Sequence, residues 1–500
     1  MNQRPNIVYI LADDMGYGDV RCLNPDCKFP TPNLDRLGGE GMAFTDAHSS
    51  SSVCTPSRYS ILTGRYCWRT YLKQGVLCGT SGPLIEKGRQ TVGSMLQNAG
   101  YRTACIGKWH LGWNWAVKPG KKAKKNQWNG EMDWIDFEQP ITEGPTTRGF
   151  DHFYGFSGSL DMPPYVYVED DRPVETPTAW GTADEFLRPG PRMESLRAHN
   201  VLGHITDKAV DYISSQDGDT PFFLYFPLNA PHTPIAPAEE FVGKSGINDY
   251  ADFCMEVDHR VGQVLDVLDE KGMADNTLVI FTTDNGASAA PSQCEMLEKE
   301  FGHYCSHVYR GYKSDIWDGG HRLPFLVRWP ETVTPGARCG QYTGLFDFYA
   351  TVGEITGQMI PEFSGEDSLS FLPALRGESI DTKSRTLVHH SISGMFAIRK
   401  GRWKLCRCPG SGGWSSPTDK QAAEKQMPEI QLYDMENAPD EQTNVAGKHP
   451  DIVRELTQEL HRSVVSGKSV KGRKGEEIAV EDWPQINWLP DIPDRFVADD

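Results

Sequence analysis

The sequence predicts an α/β fold: a doubly wound, mainly parallel sheet flanked by helices, followed by a smaller C-terminal α+β subdomain. Three observations predict this. Short apolar runs recur along the chain, helical patterns separate them, and the residue pattern changes after residue 385. Apolar runs without polar alternation are typical of strands covered by helices on both faces. Their alternation with helices over about 330 residues indicates a doubly wound sheet.

Four apolar runs are candidates for these buried strands, and each is followed by polar residues. The runs are Asn6–Ala12, Arg102–Ile106, Pro221–Pro227 and Thr277–Thr283. Ligands of open α/β sheets bind beyond the carboxyl ends of the strands. We therefore expect the polar residues after the four runs to meet at one edge of the sheet.

Helical patterns lie between the predicted strands. Apolar residues recur at helical spacing in 248–272, and shorter helices are expected at 199–214 and 91–98. Beyond residue 385, Met395–Cys406 and Glu429–Tyr433 indicate antiparallel strands, joined by a loop rich in Gly, Ser and Pro. An amphipathic helix follows at Asp451–Ser466.

These patterns divide the chain into three parts. We expect a catalytic α/β domain at 1–385, an α+β subdomain at 386–470 and an irregular tail rich in Pro and Trp at 471–500. No run of 18 apolar residues occurs, so no membrane span is predicted.

The charge balance excludes one class of partner. The 500 residues carry 50 Lys and Arg against 68 Asp and Glu, a net charge of −18. Nucleic-acid binding depends on Lys and Arg that neutralise phosphates, so no nucleic-acid partner is expected. The 38% hydrophobic content and 13 Trp are sufficient for a large core.

The compartment and the state of the cysteines stay open at this point. The N-terminal residues lack the pattern of a secretory signal. The protein is therefore expected to be cytoplasmic, or periplasmic or secreted if an export signal has been removed. Among the 12 cysteines, the pairs Cys22/Cys27, Cys294/Cys305 and Cys406/Cys408 are close enough in sequence to interact, but none has the spacing of a zinc site.

Two polar pairs at strand ends predict a metal site. Asp13 and Asp14 follow the first predicted strand, and Asp284 and Asn285 follow the last. A set of oxygen donors rich in carboxylates favours a hard cation, and Ca²⁺ suits a site made by protein and substrate better than Mg²⁺ does. The alternative is that both pairs are ordinary turn residues.

A second candidate group surrounds Cys54. This cysteine lies just ahead of a predicted helix at Ser57–Thr63, where backbone N–H groups attract anions, and Arg58 can hold an oxyanion through two nitrogens. The alternative is a buried, inert cysteine. General acid–base and anion-binding side chains at the other strand ends and nearby complete the candidate set: Lys108, His110, His232 and Lys313.

Several segments together resemble the type I sulfatases. These segments are Leu11–Asp19, Thr31–Leu37, Cys54–Arg58 with Thr63–Arg65, Gly107–Gly112, Ala230–His232, Thr283–Gly286 and Trp317–Gly320. The resemblance implies an alkaline-phosphatase-like fold, hydrolysis of sulfate esters, one bound Ca²⁺, and a maturation enzyme that converts the motif cysteine to formylglycine.

Residue by residue, the resemblance assigns roles to the candidates. Cys54 becomes the precursor of the formylglycine nucleophile, which also contacts the metal bound by Asp13, Asp14, Asp284 and Asn285. The remaining positions of the sulfate pocket fall on Arg58, Lys108, His110, His232 and Lys313. A hydrated aldehyde suits this reaction because one hydroxyl can attack sulfur while the other allows sulfate to be expelled.

The expected substrate is a small sulfated sugar. The long aromatic and polar stretch at 149–171 is suited to stacking against a sugar and binding its hydroxyls, although ordinary loop packing is the alternative. This stretch and Asp46–His48 resemble bacterial sulfatases that act on 6-O-sulfated galactose or N-acetylgalactosamine. The predicted sugar contacts are His48, Asp161, Tyr165 and His321.

Two alternatives to a sulfatase remain at the level of sequence. A phosphate or phosphonate monoester hydrolase shares the fold and a metal, and sometimes the modified cysteine. A non-catalytic binder of sulfated glycans would retain the pocket without turnover. Because the sequence contains one obvious metal set and every expected catalytic residue, it favours the sulfatase.

Overall fold

The computed structural model describes residues 4–380, 382, 385–478 and 483–487. The strands are, in chain order, β1 (Asn6–Ala12), β2 (Met42–His48), β3 (Arg102–Lys108), β4 (His152–Phe156), β5 (Val168–Glu169), β6 (Arg172–Pro173), β7 (Ala179–Gly181), β8 (Gly190–Arg192), β9 (Phe222–Pro227), β10 (Thr277–Thr283), β11 (Arg322–Arg328), β12 (Ala337–Cys339), β13 (Thr343–Gly344), β14 (Thr386–His390), β15 (Phe396–Lys400), β16 (Trp403–Cys406) and β17 (Gln431–Asp434). The α-helices are α1 (Pro32–Gly39), α2 (Cys54–Thr63), α3 (Val92–Asn98), α4 (Ala183–Phe186), α5 (Val201–Ser214), α6 (Asp249–Glu270), α7 (Ala289–Ser292), α8 (Cys294–Met296), α9 (Asp318–His321), α10 (Phe348–Thr356), α11 (Leu372–Leu375), α12 (Asp419–Glu424) and α13 (Pro450–Val465).

The large sheet is mixed but mostly parallel. Its strand order is β12-β2-β11-β10-β1-β9-β3-β4-β5-β6, with β13 also paired to β2. The strands β10, β1, β9, β3 and β4 form a continuous parallel block, while β11 runs antiparallel to both of its neighbours. The predicted fold class is confirmed, with β11 inserted as an antiparallel strand.

Helices cover both faces of this sheet. On β9, the ring of Phe222 packs against Tyr212 of α5, whereas the ring of the next residue, Phe223, packs against Phe348 of α10. Successive side chains of a strand point to opposite faces. Therefore α5, with α6 and α1 beside it, lies on one face, and α10, with α2 and α3, lies on the other.

Most predicted elements have nearly the expected bounds. The strands β1 and β10 match their predicted ranges, and β9 begins one residue later than expected. Two differences concern the site: β3 extends to Lys108, and α2 begins at Cys54 rather than at Ser57. The stretch 149–171 is only partly loop, because it contains β4 and β5.

The C-terminal part contains a separate antiparallel sheet in the order β14-β15-β16-β17, against which α13 packs. Its apolar core also includes Tyr66 and Trp68 from the N-terminal part, and Trp483 and Ile486 from the predicted tail. The exact domain limits at 385 and 470 stay predictions. The tail residues at 488–500, with their further Trp and Pro, lie outside the described residues.

All 12 cysteines are free, so none of the three candidate pairs forms a disulfide here. Within the described part of the chain, every helix is too short or too polar to cross a bilayer.

Candidate active site

The polar clusters that follow the predicted strands meet at one edge of the sheet. In the parallel pair β1/β10, Ala12 lies opposite Thr283, and in β1/β9, Leu11 lies opposite Pro227. Asp13 and Asp284 therefore leave neighbouring strands at the same level. The backbone extends this pairing, since the N–H of Asp13 donates to the carbonyl of Ala230 at 2.9 Å.

At this edge, three carboxylates form ion pairs with three cationic side chains. Lys108 Nζ lies 2.5 Å from Asp13 Oδ2, and Lys313 Nζ lies 2.7 Å from Asp14 Oδ2. The Arg58 guanidinium donates to Asp284 Oδ2 at 2.8 Å. All six side chains are buried, so their charges are balanced within the protein rather than by water.

The pKa values of Asp13 and Asp284 shift in opposite directions. Burial opposes ionisation of both, but Lys108 beside Asp13 holds the pKa of that carboxyl well below its usual range. Burial and the negative charge of Asp13 instead raise the pKa of Asp284 to about 7. Two close buried carboxylates repel each other, and a bound cation would relieve that repulsion.

The unpaired oxygens at this edge fit a hard metal ion. Asp13 Oδ1, Asp284 Oδ1 and Asn285 Oδ1 are buried and have no hydrogen-bond partner among the described residues. The Asn285 amide donates to Asp14 Oδ1 at 2.6 Å, which orients its own oxygen away from that carboxylate. Buried oxygens left without donors are costly unless a cation or water satisfies them. The donor set suits Ca²⁺.

Cys54 is the first residue of α2 and is 2% exposed. Burial raises the pKa of its thiol to about 11, against the opposing effects of Lys108 and Lys313. The preceding Ser49–Ser52 segment is fixed on both sides, by a hydrogen bond from the N–H of Ser49 to the His321 carbonyl and one from Ser52 to the His390 carbonyl. The C-terminal sheet thus helps to position the segment that leads into Cys54.

Two histidines at the site have fixed ring orientations. His110 Nε2–H donates to the Leu77 carbonyl at 2.7 Å, so Nδ1 carries the lone pair, and it has no partner among the described residues. Burial, Lys108 and Arg58 lower the pKa of His110 well below its usual value. His232 Nδ1–H donates to the Thr233 carbonyl at 2.6 Å, which leaves Nε2 3.7 Å from Asp14 Oδ2.

A cavity of about 890 Å³ opens onto this group. Cys54, His232 and Lys313 line it together with residues that the sequence did not identify, including Trp128, Arg188, Glu298, Tyr312 and Trp414. These residues come from segments far apart in the chain, and no local motif marks them. The sequence signal that could have indicated them is an isolated tryptophan, Trp128 or Trp414, in each of two polar loops.

The predicted sugar contacts divide into two groups. Asp161 lines the cavity and pairs with Arg188. In contrast, His48 and His321 are enclosed by protein, with their Nδ1 atoms 3.1 Å apart, and Tyr165 is enclosed with its hydroxyl donating to the Arg188 carbonyl at 2.6 Å. None of these three lines the cavity in this structure, and their contact with a sugar stays a prediction.

Comparison with known proteins identifies the family. The Sulfatase family model matches residues 5–358. An N-acetylgalactosamine-6-O-sulfatase of Bacteroides thetaiotaomicron is 32% identical, with 92% of this chain and 93% of that protein covered. Human arylsulfatase A is 30% identical over 95% of this chain and 92% of its own length.

A solved structure gives the same result. A Bacteroides thetaiotaomicron protein from work on the metabolism of multiple glycosaminoglycans superimposes with a TM-score of 0.79 at 30% identity, covering 92% of this chain and 99% of its own. The matched family region contains all the candidate catalytic and metal-binding residues described above. The chain belongs to the Sulfatase family, has its alkaline-phosphatase-like fold, and is a sulfuric ester hydrolase.

Proposed function

We propose that this enzyme removes a 6-O-sulfate from the end sugar of a glycan, N-acetylgalactosamine or galactose, by exo action. The observation that carries the proposal is the position of Cys54, which lies among buried cations beside a cavity large enough for a sugar and its sulfate. The similarity to an N-acetylgalactosamine-6-O-sulfatase over 92% of the chain supports the choice of sugar.

The nucleophile is proposed to be a formylglycine made from Cys54 by a maturation enzyme. A thiol with a pKa of about 11 is almost fully protonated at neutral pH, and a protonated thiol is a poor nucleophile. An unmodified Cys54 also lacks a second hydroxyl group, so it has no route for expelling sulfate after attack on sulfur. When hydrated, formylglycine supplies two hydroxyl groups at this position, one to attack sulfur and one to permit turnover.

The metal is proposed to be one Ca²⁺ held by Asp13, Asp14, Asp284 and Asn285. The three unpaired oxygens on these side chains support this assignment, and each Asp14 oxygen keeps a second lone pair beside the hydrogen bond that it accepts. A calcium ion held by these residues would supply positive charge that stabilises the negative charge of the sulfate.

The remaining side chains stabilise charge and move protons. Arg58, Lys108 and Lys313 hold positive charge where negative charge develops on the sulfate oxygens during ester cleavage. His232 Nε2 is proposed to donate a proton to the sugar oxygen that leaves sulfur, which gives the free hydroxyl, since Nδ1 is committed to Thr233. His110 Nδ1, with its free lone pair, is proposed to accept the proton from the nucleophile's second hydroxyl when sulfate is expelled.

The test uses the mature protein with a matched pair of esters. We expect sulfate release from 6-O-sulfated N-acetylgalactosamine at a rate at least two orders of magnitude above phosphate release from the corresponding 6-phosphate, about the loss expected when oxyanion contacts fit poorly. Faster phosphate release would favour a phosphomonoester hydrolase. Binding of the sulfated sugar without turnover at any pH would favour a non-catalytic binder. Cys54→Ala is the inactive control.

A further inference from the structure

A loop rich in lysine lies on the surface outside the site. This lysine loop, residues 118–125, contains five lysines and no carboxylate, on a chain whose net charge is −18. All five are exposed: Lys118, Lys121, Lys122, Lys124 and Lys125. A local positive patch on an acidic protein attracts anions only at short range, because salt screens charges beyond about 8–10 Å.

The lysine loop leads directly into the wall of the cavity. Trp128, which lines the cavity, follows Lys125 by three residues, and three residues of chain span at most about 11 Å. Two hydrogen bonds fix the residues between the loop and Trp128 to the segment that contains Thr80 and Ser81. Ser81 Oγ donates to Asn126 Oδ1 at 2.7 Å, and the N–H of Gln127 donates to Thr80 Oγ1 at 2.7 Å. The loop is therefore anchored beside the cavity.

Most lysines of the loop form no ion pair, unlike Arg188 and Lys299 of the outer cavity. In the cavity wall, Arg188 pairs with Asp161, and Lys299 pairs with Glu295 at 3.1 Å. In the loop, Lys121 pairs with Asp133 at 2.6 Å. Lys118, Lys122, Lys124 and Lys125 form no ion pair with a carboxylate of the described residues, and Lys125 donates only to the amide oxygen of Asn114.

We propose that the lysine loop binds further anionic groups, sulfates or carboxylates, of a glycan chain whose sulfated end sugar occupies the cavity. This rests on the proposed function and defines its substrate more narrowly. The preferred substrate is an anionic oligosaccharide or a polymer end rather than an isolated sulfated sugar.

The energy of exposed ion pairs sets how much each lysine of the loop can contribute to binding an anionic oligosaccharide. One such pair contributes little, and its contribution falls with added salt. Neutralising two lysines is expected to lower the preference for the anionic oligosaccharide about three- to tenfold at low salt, with a smaller loss at physiological salt.

The experiment compares two substrates of the mature enzyme. One is 6-O-sulfated N-acetylgalactosamine, and the other is a tetrasaccharide with that sugar at its end and alternating uronates behind it. The variant is Lys122→Gln/Lys124→Gln. The matched control, Lys244→Gln/Lys448→Gln, removes two exposed lysines that do not line the cavity. The readout is the ratio of kcat/KM for the tetrasaccharide to that for the monosaccharide.

We expect this ratio to fall for the loop variant and not for the control. An unchanged ratio, or an equal fall in the control, would overturn the inference. Absence of sulfate release from both substrates by the wild-type enzyme would instead contradict the proposed function. A binding measurement tests the inference independently of turnover. In Cys54→Ala protein, the loop substitutions should lower the salt concentration at which the protein elutes from an immobilised chondroitin sulfate column. No shift there would also overturn the inference.

Discussion

Replacing Arg58 by methionine separates the structural from the catalytic contribution of this guanidinium. Methionine keeps the length of the side chain but removes the charge and the donors to Asp284 and to the Lys108 carbonyl. At an effective dielectric constant of about 20, a pair of charges 2.8 Å apart, as between Arg58 and Asp284, is worth about 6 kcal/mol before the cost of burial.

The net loss is smaller than this Coulomb energy, because burying the guanidinium is itself costly. Removing one partner of a buried ion pair typically destabilises a protein by about 3–5 kcal/mol. For 500 residues, an unfolding entropy of about 1 kcal/mol per kelvin converts this into a fall in Tm of about 3–5 °C. Loss of transition-state stabilisation should also lower kcat about 10²–10³-fold.

A second buried ion pair provides the control. Arg69 contacts Asp367 at 2.7 and 2.9 Å, and both side chains are fully buried, but neither lines the cavity. We expect Arg69→Met to lower Tm by a similar amount with kcat within about threefold of wild type, since an ion pair away from the site makes no transition-state contact. Thermal unfolding by circular dichroism and sulfate release measure the two effects. If both variants lost kcat equally, Arg58 would have no specific catalytic role.

Three further predictions test separate parts of the account. Removal of divalent cations by a chelator should abolish turnover and lower Tm by a few degrees, with Ca²⁺ restoring both better than Mg²⁺; full activity in the chelator would contradict the metal assignment. Asp161→Asn should lower kcat/KM for the sulfated sugar about tenfold and for an aryl sulfate much less, because only the sugar has hydroxyls to bind; equal losses would exclude Asp161 from sugar recognition. Asp258 caps α1 by accepting from the N–H of Leu34 at 2.8 Å, and burial raises its pKa to about 6. The stability that Asp258 contributes to the folded protein is therefore fully present below the unfolded pKa of about 4, and it is lost as pH rises through about 6. The stability of Asp258→Asn relative to wild type should rise between pH 4 and pH 8, and a difference independent of pH would contradict this.

The sheet edge was predictable from sequence because its signals are local. β1 and β10 have apolar centres without polar alternation, and each is followed by a pair of polar residues that a parallel sheet places side by side. The register then brings Asp13 and Asp284 together without further information.

Other strands of the same sheet give no such signal. β2 includes Thr45, Asp46 and His48, whose polar side chains interrupt its apolar pattern although the strand is largely buried. β11 contains Pro324, which argues against a central strand, and the structure accommodates it with a register shift between Leu323 and Phe325. Both strands depend on tertiary contacts that sequence patterns do not reveal.

The cavity walls were not predictable for a related reason. Trp414 lies in a loop of the C-terminal part, and this loop is attached to the segment that carries Lys313 because the N–H groups of Trp414 and Ser415 both donate to Asp315 Oδ1 at 3.1 Å. Contacts between segments 100 residues apart have no periodicity or spacing in the sequence. The burial of His48 and His321 likewise results from packing between distant segments.

The central claim is that catalysis depends on conversion of Cys54. The most direct test measures the initial rate of sulfate release from 6-O-sulfated N-acetylgalactosamine in preparations whose fraction of formylglycine at Cys54 is determined by mass spectrometry. The account predicts a rate proportional to that fraction and zero for fully unmodified protein, since only the hydrated aldehyde has a second hydroxyl group through which sulfate can be expelled. A rate that does not change with the degree of conversion would contradict it.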